Sequence, residues 1–251
     1  MKYAILSDVH ANPAALRAVL DDARRQGVDK VICLGDVVGY GPEAEESVRI
    51  VRAEAEVCLM GNHDAAVSAV ITGSGFSLPA VRGIMRHRAE TSVESRQWLA
   101  SLPYVWEGDG FACAHGDFSD PQGFRYVMTP EDAEQSLALR SEHLLFFGHT
   151  HAVAVLEKEG VACARTLELE DAIRLKVGCR YVMNVGAVGY PRHDNDSTYC
   201  IYDSERGEVR FRRIPFDFKG YERAMLKRGA ALPAWFDNVK RQQCQSGGTT
   251  V

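Results

Sequence analysis

The sequence lacks the features that would assign it to a membrane, repeat or disulfide-rich class. No apolar run in its 251 residues approaches the roughly 20 that a membrane-spanning helix needs, and no leading signal segment is visible. The seven cysteines include no CxxC pair. Cys33, Cys58 and Cys113 fall in apolar strand patterns, so we expect small buried side chains rather than disulfides or a zinc knuckle. These absences predict a cytoplasmic globular protein with no membrane partner.

A basic surface is also lacking. The formal net charge is −5 and the isoelectric point is about 5.9, whereas duplex DNA binding requires a positively charged face. Basic clusters are limited to short runs such as Arg210-Phe211-Arg212-Arg213. A nuclease is therefore not favoured and nucleic acid is not an expected partner, while the oligomeric state stays open.

The features that indicate a function begin in the first ten residues. Lys2 to Ser7 predicts a short buried strand, which ends in Asp8 and His10, and residues i and i+2 point the same way on extended backbone. Four later segments repeat this design of an apolar run followed by a polar turn: VICLGD to Asp36, VCLMGNHD with Asn62, His63 and Asp64, FACAHG to His115, and LLFFGHTH with His149 and His151. Five strand ends that deliver such side chains to one place predict a metal centre.

The helix and strand patterns predict the architecture around that centre. Asn12 and Pro13 begin an amphipathic helix that stops at Gly27, and a strand over Lys30–Leu34 closes a βαβ unit, so the first sheet begins parallel. The early half continues as βαβα and the later half is rich in strands, which predicts two sheets packed face to face with helices outside. Ligands of open α/β sheets bind at the carboxyl ends of strands, where all five ligand segments lie.

Residues 1–243 are predicted to form one domain and residues 244–251 a flexible tail. Within the domain, Gly73, Gly75 and Pro79 interrupt a mixed segment over residues 65–100, which we interpret as a helical excursion near the site. Other predicted elements are a helix over Thr91–Ser101, a strand over Gly160–Leu167 and a helix over Pro233–Gln243.

The candidate metal ligands are seven in number: Asp8, His10, Asp36, Asn62, His115, His149 and His151. Seven exceeds what one tetrahedral or octahedral ion takes from protein while it keeps an open position. Two ions that share one carboxylate fit better, at the spacing of about 3.5–4 Å found in two-metal hydrolases. The mixture of imidazole, carboxylate and amide oxygen suits divalent Mn, which we expect, with Fe, Zn, Co or Ni as alternatives, and the absence of thiolates disfavours a closed structural zinc site.

The five ligand segments also match a known set of motifs in the same order. Asp8-Val9-His10, Gly35-Asp36, Gly61-Asn62-His63-Asp64, His115-Gly116 and Gly148-His149-Thr150-His151 resemble those of the calcineurin-like metallophosphoesterases. Five ordered motifs make a specific signal, although one alone is weak. The stretches GDVVGYGP and NVGAVGYPR are similar to the small prokaryotic phosphodiesterases of that superfamily. The resemblance implies a four-layer α/β/β/α sandwich of two mixed sheets flanked by helices, and a metal-dependent phosphoric ester hydrolase.

The resemblance also implies which residues hold each ion. One ion takes Asp8, His10, Asp36 and His151, and the other takes Asp36, Asn62, His115 and His149. Asp36 bridges them. The implied nucleophile is a metal-bridging hydroxide, which attacks a phosphodiester or small phosphate ester in line.

Two further roles follow from the same motifs. His63 is implied to be catalytic without binding metal, by hydrogen-bonding the phosphate or protonating the leaving oxygen, and Asp64 to orient His63 through its other nitrogen. Asn62 and His63, with Arg192 and Tyr40, are the expected substrate-binding residues. Arg192 lies in a loop rich in Gly and Pro, where substrate contacts are common, but it could equally be solvated, and Tyr40 could pack instead.

One departure from the superfamily bears on the substrate. Its phosphoprotein phosphatases continue GD with an Asp-Arg pair and place Arg before GNH, whereas this sequence has Gly39, Tyr40 and Met60 there. Without those cations to hold a phosphomonoester dianion, we expect a phosphodiesterase rather than a phosphomonoesterase, although Arg192 could partly compensate. The alternatives are a phosphoprotein phosphatase and a non-catalytic protein-interaction scaffold on the same fold, and retention of His63 and all the ligands favours an enzyme.

Some residues have structural explanations beside the functional ones. Asp8 and Asp36 could cap helices, and Asn62 could be a turn residue. The remaining histidines of interest, His87, His143 and His193, lie outside the motifs and are interpreted as ordinary core or surface residues.

Overall fold

The computed structural model describes residues 1–192, 196–230 and 232. Its strands are β1 (Lys2–Leu6), β2 (Lys30–Cys33), β3 (Val57–Cys58), β4 (Val105–Glu107), β5 (Phe111–Ala114), β6 (Leu144–Phe147), β7 (Val153–Glu159), β8 (Arg165–Thr166), β9 (Ala172–Arg174), β10 (Cys179–Val185), β11 (Ser197–Asp203) and β12 (Glu208–Ile214). Its helices are α1 (Pro13–Arg25), α2 (Ala44–Glu54), α3 (Asn62–Val67), α4 (Leu78–Glu90), α5 (Val93–Ala100), α6 (Pro130–Ala138) and α7 (Phe218–Lys227).

The strands form two mixed sheets. One has the order β3-β2-β1-β11-β12-β9 and the other the order β4-β5-β6-β10-β7-β8. Strands β1, β2 and β3 are parallel neighbours, as are β5, β6 and β10. The predicted α/β architecture of two mixed sheets flanked by helices is therefore confirmed, and so is the parallel start of the first sheet.

Side-chain alternation divides the apolar core into layers. Along β1, Tyr3 and Ile5 belong to the cluster between the two sheets, whereas Ala4 and Leu6 pack with the helices on the other face, because successive strand side chains point to opposite faces. A third cluster joins Leu145 of β6 to α6 on the outer face of the second sheet. The order of layers is helices, sheet, sheet and helix.

The local structure departs from the predicted elements at several places. The strand predicted over Gly160–Leu167 is reduced to β8, and β9 was not predicted. Pro79 does not interrupt a helix but lies in the first turn of α4, where proline lacks only an amide that has no helical partner. The helix predicted over Pro233–Gln243 and the tail over 244–251 lie outside the described residues, as does His193, so the domain boundary stays a prediction.

The sequence predicts small buried cysteines and no membrane-spanning run. Cys33, Cys58 and Cys113 are buried and free, as predicted. Among the residues described, no helix combines the length and the apolarity needed to cross a membrane.

Candidate metal centre

The turns that follow five strands meet where the two sheets adjoin. Asp8 and His10 follow β1, Asp36 follows β2, Asn62 opens α3 after β3, His115 follows β5, and His149 and His151 follow β6. All of these side chains are buried except that of Asn62, which is half-buried. The structure thus brings together every residue that the sequence proposes as a ligand.

The first group consists of Asp8, His10 and His151. The Nε2 atoms of the two histidines are 3.1 Å apart. Asp8 Oδ1 lies 3.2 Å from His151 Nε2 and 3.6 Å from His10 Nε2. Three potential ligand atoms therefore face one point.

The second group consists of Asp36, His115 and His149. His115 Nε2 lies 3.2 Å from His149 Nδ1 and 3.4 Å from Asp36 Oδ2, and Asn62 Oδ1 is 3.3 Å from the same nitrogen. Asp36 Oδ2 is also 3.7 Å from His10 Nε2. One carboxylate oxygen therefore joins the two groups.

The outer nitrogens of three histidines fix the tautomers of the rings. Nδ1 donates to a backbone carbonyl in each: His10 to Val38 at 3.0 Å, His115 to Leu34 at 3.0 Å, and His151 to Tyr190 at 2.6 Å. Because a carbonyl can only accept, each neutral ring presents the lone pair of Nε2 to the centre. Two such lone pairs at 3.1 Å, on His10 and His151, repel unless a positive charge lies between them.

The two aspartates leave one oxygen each for the centre. Asp8 Oδ2 accepts the backbone N–H of His149 at 2.9 Å, and Asp36 Oδ1 accepts that of His63 at 2.8 Å. Their other oxygens, Asp8 Oδ1 and Asp36 Oδ2, are buried and have no hydrogen-bond partner in the described part of the chain. A buried carboxylate oxygen without a partner is costly, so these two atoms fit a cation site.

The charges of the centre also favour a cation. Burial disfavours ionisation of Asp8, but the imidazole of His151 nearby keeps its pKa well below the usual range. Burial and then Asp36 act in opposite directions on the pKa of His115, and the carboxylate prevails, raising it to about 9. A metal ion bound at this group would therefore have to displace the proton from Nε2 of His115. Burial lowers the pKa of His149 to about 3, which leaves that ring neutral and able to bind metal.

The spacing of the potential ligands suits a metal ion. Ligands at about 2.1 Å from an ion are about 3.0–3.4 Å apart when they subtend angles of about 90–109° at it. The distances between neighbouring ligand atoms lie at 3.1–3.4 Å, apart from the longer ones to His10. The residues of each group therefore fit a metal ion, and Asp36 Oδ2 lies 3.4 Å from His115 Nε2 of one group and 3.7 Å from His10 Nε2 of the other.

His63 forms a third group of potential ligands with His10 and Asp36, but its neighbour Asp64 does not orient it. The Asp64 carboxylate accepts the backbone N–H groups of Gly61 at 3.1 Å, Val38 at 3.1 Å and Val37 at 3.3 Å. His63 Nδ1 is buried and has no hydrogen-bond partner among the described residues. The prediction that Asp64 orients His63 is therefore wrong: Asp64 joins the turn after β2 to the start of α3.

A cavity of about 400 Å³ opens onto the centre. Asp36, Asn62, His63, His149 and His151 line its floor. Its walls include Tyr40 and the exposed Arg192, the two other residues proposed to bind substrate. The 65–100 segment contributes residues from Ile71 to Ala80.

Three residues at the site were not identified from the sequence. Tyr126 stacks on His149 with ring centroids 4.0 Å apart, and Phe76 packs edge-on against His63 at 5.0 Å. Asn184 of β10 donates to the carbonyl of Gly148 and so holds the turn after β6. A polar residue inside the apolar strand Tyr181–Val185 was the available signal for Asn184, whereas the aromatic residues lie in loops without a motif.

Backbone strain is concentrated at the centre. Five candidate ligands have positive φ, namely Asp8 (57°), His10 (46°), Asp36 (54°), His149 (67°) and His151 (62°). Asp and His tolerate this left-handed conformation better than most residues, yet each instance costs on the order of 1 kcal/mol. Because β1 already ends at Leu6, Asp8 and His10 do not converge by alternation on extended backbone, as the sequence argument assumed, but by this left-handed turn.

The chain is similar over most of its length to a known protein family and to a protein of another organism. A family model described as a calcineurin-like phosphoesterase superfamily domain matches residues 1–207. The uncharacterized protein MJ0912 of Methanocaldococcus jannaschii is 32% identical over 238 residues, which are 92% of this chain and 94% of that protein.

Two solved structures share the fold over most of the chain. A metallophosphoesterase from Sphaerobacter thermophilus has 31% sequence identity and a TM-score of 0.78, over 92% of this chain and 95% of that one. The hypothetical protein PH1004 from Pyrococcus horikoshii has 17% identity and a TM-score of 0.72, over 92% and 94% of the two chains.

Proposed function

Because the chain belongs to the calcineurin-like phosphoesterase superfamily, we propose that it is a two-metal phosphoesterase that hydrolyses a phosphodiester or small phosphate ester. The observation that carries this proposal is the pair of ligand groups joined by Asp36 Oδ2, with Asp8 Oδ1 and Asp36 Oδ2 buried and lacking hydrogen-bond partners among the described residues.

The two ions would be held by different ligands around one shared carboxylate. Asp8, His10, Asp36 and His151 would hold one, and Asp36, Asn62, His115 and His149 the other. When bound, such ions neutralise phosphate charge and lower the pKa of a water to about 7, which supplies a nucleophile at neutral pH.

The chain's own side chains would position the ester. His63 lies on the cavity floor between the aromatic rings of Tyr40 and Phe76, with centroid distances of 4.7 and 5.0 Å. Burial holds the pKa of His63 well below its usual range, so the neutral ring can hydrogen-bond the phosphate. Arg192 on the wall supplies a cation for a phosphate oxygen.

The cavity favours a diester over a monoester. Arg192 is the one Arg or Lys among the described residues that line it. A phosphomonoester dianion carries about one more negative charge than a diester and is typically held by several cationic groups. A singly charged diester matches the smaller positive charge of these walls.

The test compares an aryl phosphodiester with the matched aryl phosphomonoester in the presence of Mn²⁺. We expect kcat/KM for the diester to be higher by about tenfold or more, which corresponds to about 1.4 kcal/mol of transition-state free energy. A chelator should abolish turnover and added Mn²⁺ should restore it. Faster hydrolysis of the monoester would favour a phosphatase, and inertness with Mn, Fe, Zn, Co and Ni would favour the scaffold alternative.

A further inference from the structure

Helix α4 contacts the backbone of the loop that carries Tyr40. Its His87 is fully buried, and Nδ1 of that ring accepts the backbone N–H of Gly39 at 3.0 Å. Nε2 of the same ring is 2.9 Å from the carbonyl oxygen of Gly41, to which it can only donate. Only the neutral ring with its proton on Nε2 satisfies both groups, and burial lowers the pKa of His87 to about 3, which keeps it in this form.

Other residues of α4 hold the same loop. Arg86 donates through Nη2 to the carbonyls of Tyr40 at 2.8 Å and Gly41 at 2.6 Å. Gly83 approaches so closely that a Cβ built on it would lie 2.7 Å from the backbone nitrogen of Tyr40. The backbone from Gly39 to Gly41, which we name the 39–41 loop, is therefore held by this helix on one side, while the carbonyl of His10 accepts the Gly41 N–H at 3.1 Å on the other.

The 39–41 loop in turn confines the ring of His63. A Cβ built on Gly39 would lie 2.2 Å from His63 Nδ1, so the ring packs directly on the backbone of Gly39. Since no described residue hydrogen-bonds that Nδ1, the ring is positioned by packing: by Gly39, by Tyr40 of the same loop, by Phe76 and by the His10 ring of the centre at 4.9 Å. Any shift of the loop removes part of this support.

We propose that His87 is a positioning residue, which holds the His63 ring over the cavity floor through the 39–41 loop. This inference rests on the proposed function of His63. It assigns a task to a histidine outside the motifs, 24 positions from His63 in the sequence and not among the residues that line the cavity.

The kinetic test uses His87→Ala and a double-mutant cycle with His63→Ala. We expect His87→Ala to retain its metal content and to lower kcat by about tenfold, since small misplacements of a reacting group cost one to two orders of magnitude. In the His63→Ala background the same substitution should cost nothing further, because the group through which it acts is gone. A full additional loss in that background would overturn the inference.

A conservative variant and a matched control separate positioning from loss of stability. His87→Gln should recover part of kcat, because its amide nitrogen can still donate to Gly41, and it also serves if His87→Ala does not fold. Tyr199→Phe removes a buried hydroxyl that donates to Asp22 at 2.7 Å. Neither residue is among those that line the cavity, so kcat should be unchanged. Wild-type kcat in both His87 variants would contradict the inference.

A measurement without turnover distinguishes this inference from the proposed function. In zinc-loaded protein, the imidazole NMR signals of His63, assigned by comparison with His63→Ala, should broaden or divide in His87→Ala but not in Tyr199→Phe. Unchanged His63 signals would overturn the positioning role even if the protein proved inactive on every ester. An active wild type with unaffected His87 variants would leave the proposed function standing and remove this inference alone.

Discussion

Asp22 and Asp36 are both buried carboxylates, with 4% and 1% of their surface exposed, but the chain surrounds them differently. Asp22 accepts two hydrogen bonds from Arg212, at 2.8 and 2.9 Å, and one from Tyr199. Asp36 accepts one backbone N–H from His63, and its Oδ2 has no hydrogen-bond partner among the described residues. A buried charge requires a counter-charge. The chain supplies it to Asp22 through Arg212, whereas the groups that face Asp36 Oδ2 are the imidazoles of the candidate metal centre.

Glu157, on β7 of the second sheet, and Asp8, after β1 of the first, repeat the contrast. Glu157, 1% exposed, is paired with Arg165 at 2.6 Å and Lys176 at 3.2 Å. Asp8 has one oxygen anchored by a backbone N–H and the other directed at histidine nitrogens. A buried carboxylate whose charge is balanced by Arg or Lys stabilises the fold. A buried carboxylate that faces only imidazoles belongs to the candidate metal centre.

The isosteric substitutions Asp36→Asn and Asp22→Asn test most strongly whether the two buried carboxylates have different roles. Asp36→Asn should reduce the occupancy of both ions and lower kcat/KM by about 10³-fold or more, because a central charged group is lost. Asp22→Asn should keep both ions and its activity, but lower the free energy of unfolding by about 2 kcal/mol. That cost is below the 3–5 kcal/mol of a fully buried pair, since Arg212 reaches solvent.

Metal analysis, steady-state kinetics and urea unfolding of the two variants provide the measurement. One ion at full occupancy in Asp36→Asn would show that Asp36 does not bridge. Loss of metal in Asp22→Asn would show that the two kinds of carboxylate are not separate.

The second prediction concerns a histidine that faces the centre without belonging to either ligand set. His63→Ala should retain both ions and lower kcat by about 10²-fold, the scale of a lost proton donor or phosphate contact. His143→Ala, at an exposed position outside the cavity, is the control and should match wild type in both respects. Loss of one ion from His63→Ala would instead make His63 a ligand.

The sequence predicts which polar side chains converge because strand ends and their polar turns are local patterns. The apolar runs before Asp36, His115 and His149 are short and continuous. The parallel pairing of β5 and β6 brings His115 and His149 to one edge of their sheet, and Asp36 follows β2 of the other sheet. The order of helices and strands likewise predicts two sheets with helices outside. Both inferences need only the chain's own periodicity and the topology that follows from it.

The remaining details depend on contacts between distant segments, which a single sequence does not reveal. Asp64 follows His63 directly, yet its carboxylate reaches the turn after β2, because the first turn of α3 directs the two side chains apart. His87 lies on α4, and the apolar pattern of that helix does not indicate that the ring accepts a hydrogen bond from Gly39, 48 positions earlier. Gly61 is required because a Cβ there would lie 2.1 Å from Asp36 Oδ1.

The smallest expected effect concerns Asp22, the carboxylate paired with Arg212, and how its contribution to the free energy of unfolding depends on pH. Burial disfavours ionisation of Asp22, but its bonds to Arg212 and Tyr199 prevail and lower its pKa. A group with a lowered folded-state pKa contributes stability that is present above its unfolded pKa, about 3.9, and is lost as the pH falls through the folded value. The unfolding free energies of wild type and Asp22→Asn should therefore differ most near pH 7 and converge below about pH 4. Urea unfolding from pH 7 to pH 3, with a chelator present so that bound metal does not contribute, measures that difference. A difference that stays constant over this range would mean that Asp22 stabilises the fold through shape and neutral hydrogen bonds, and the contrast with Asp36 would then not be one of charge.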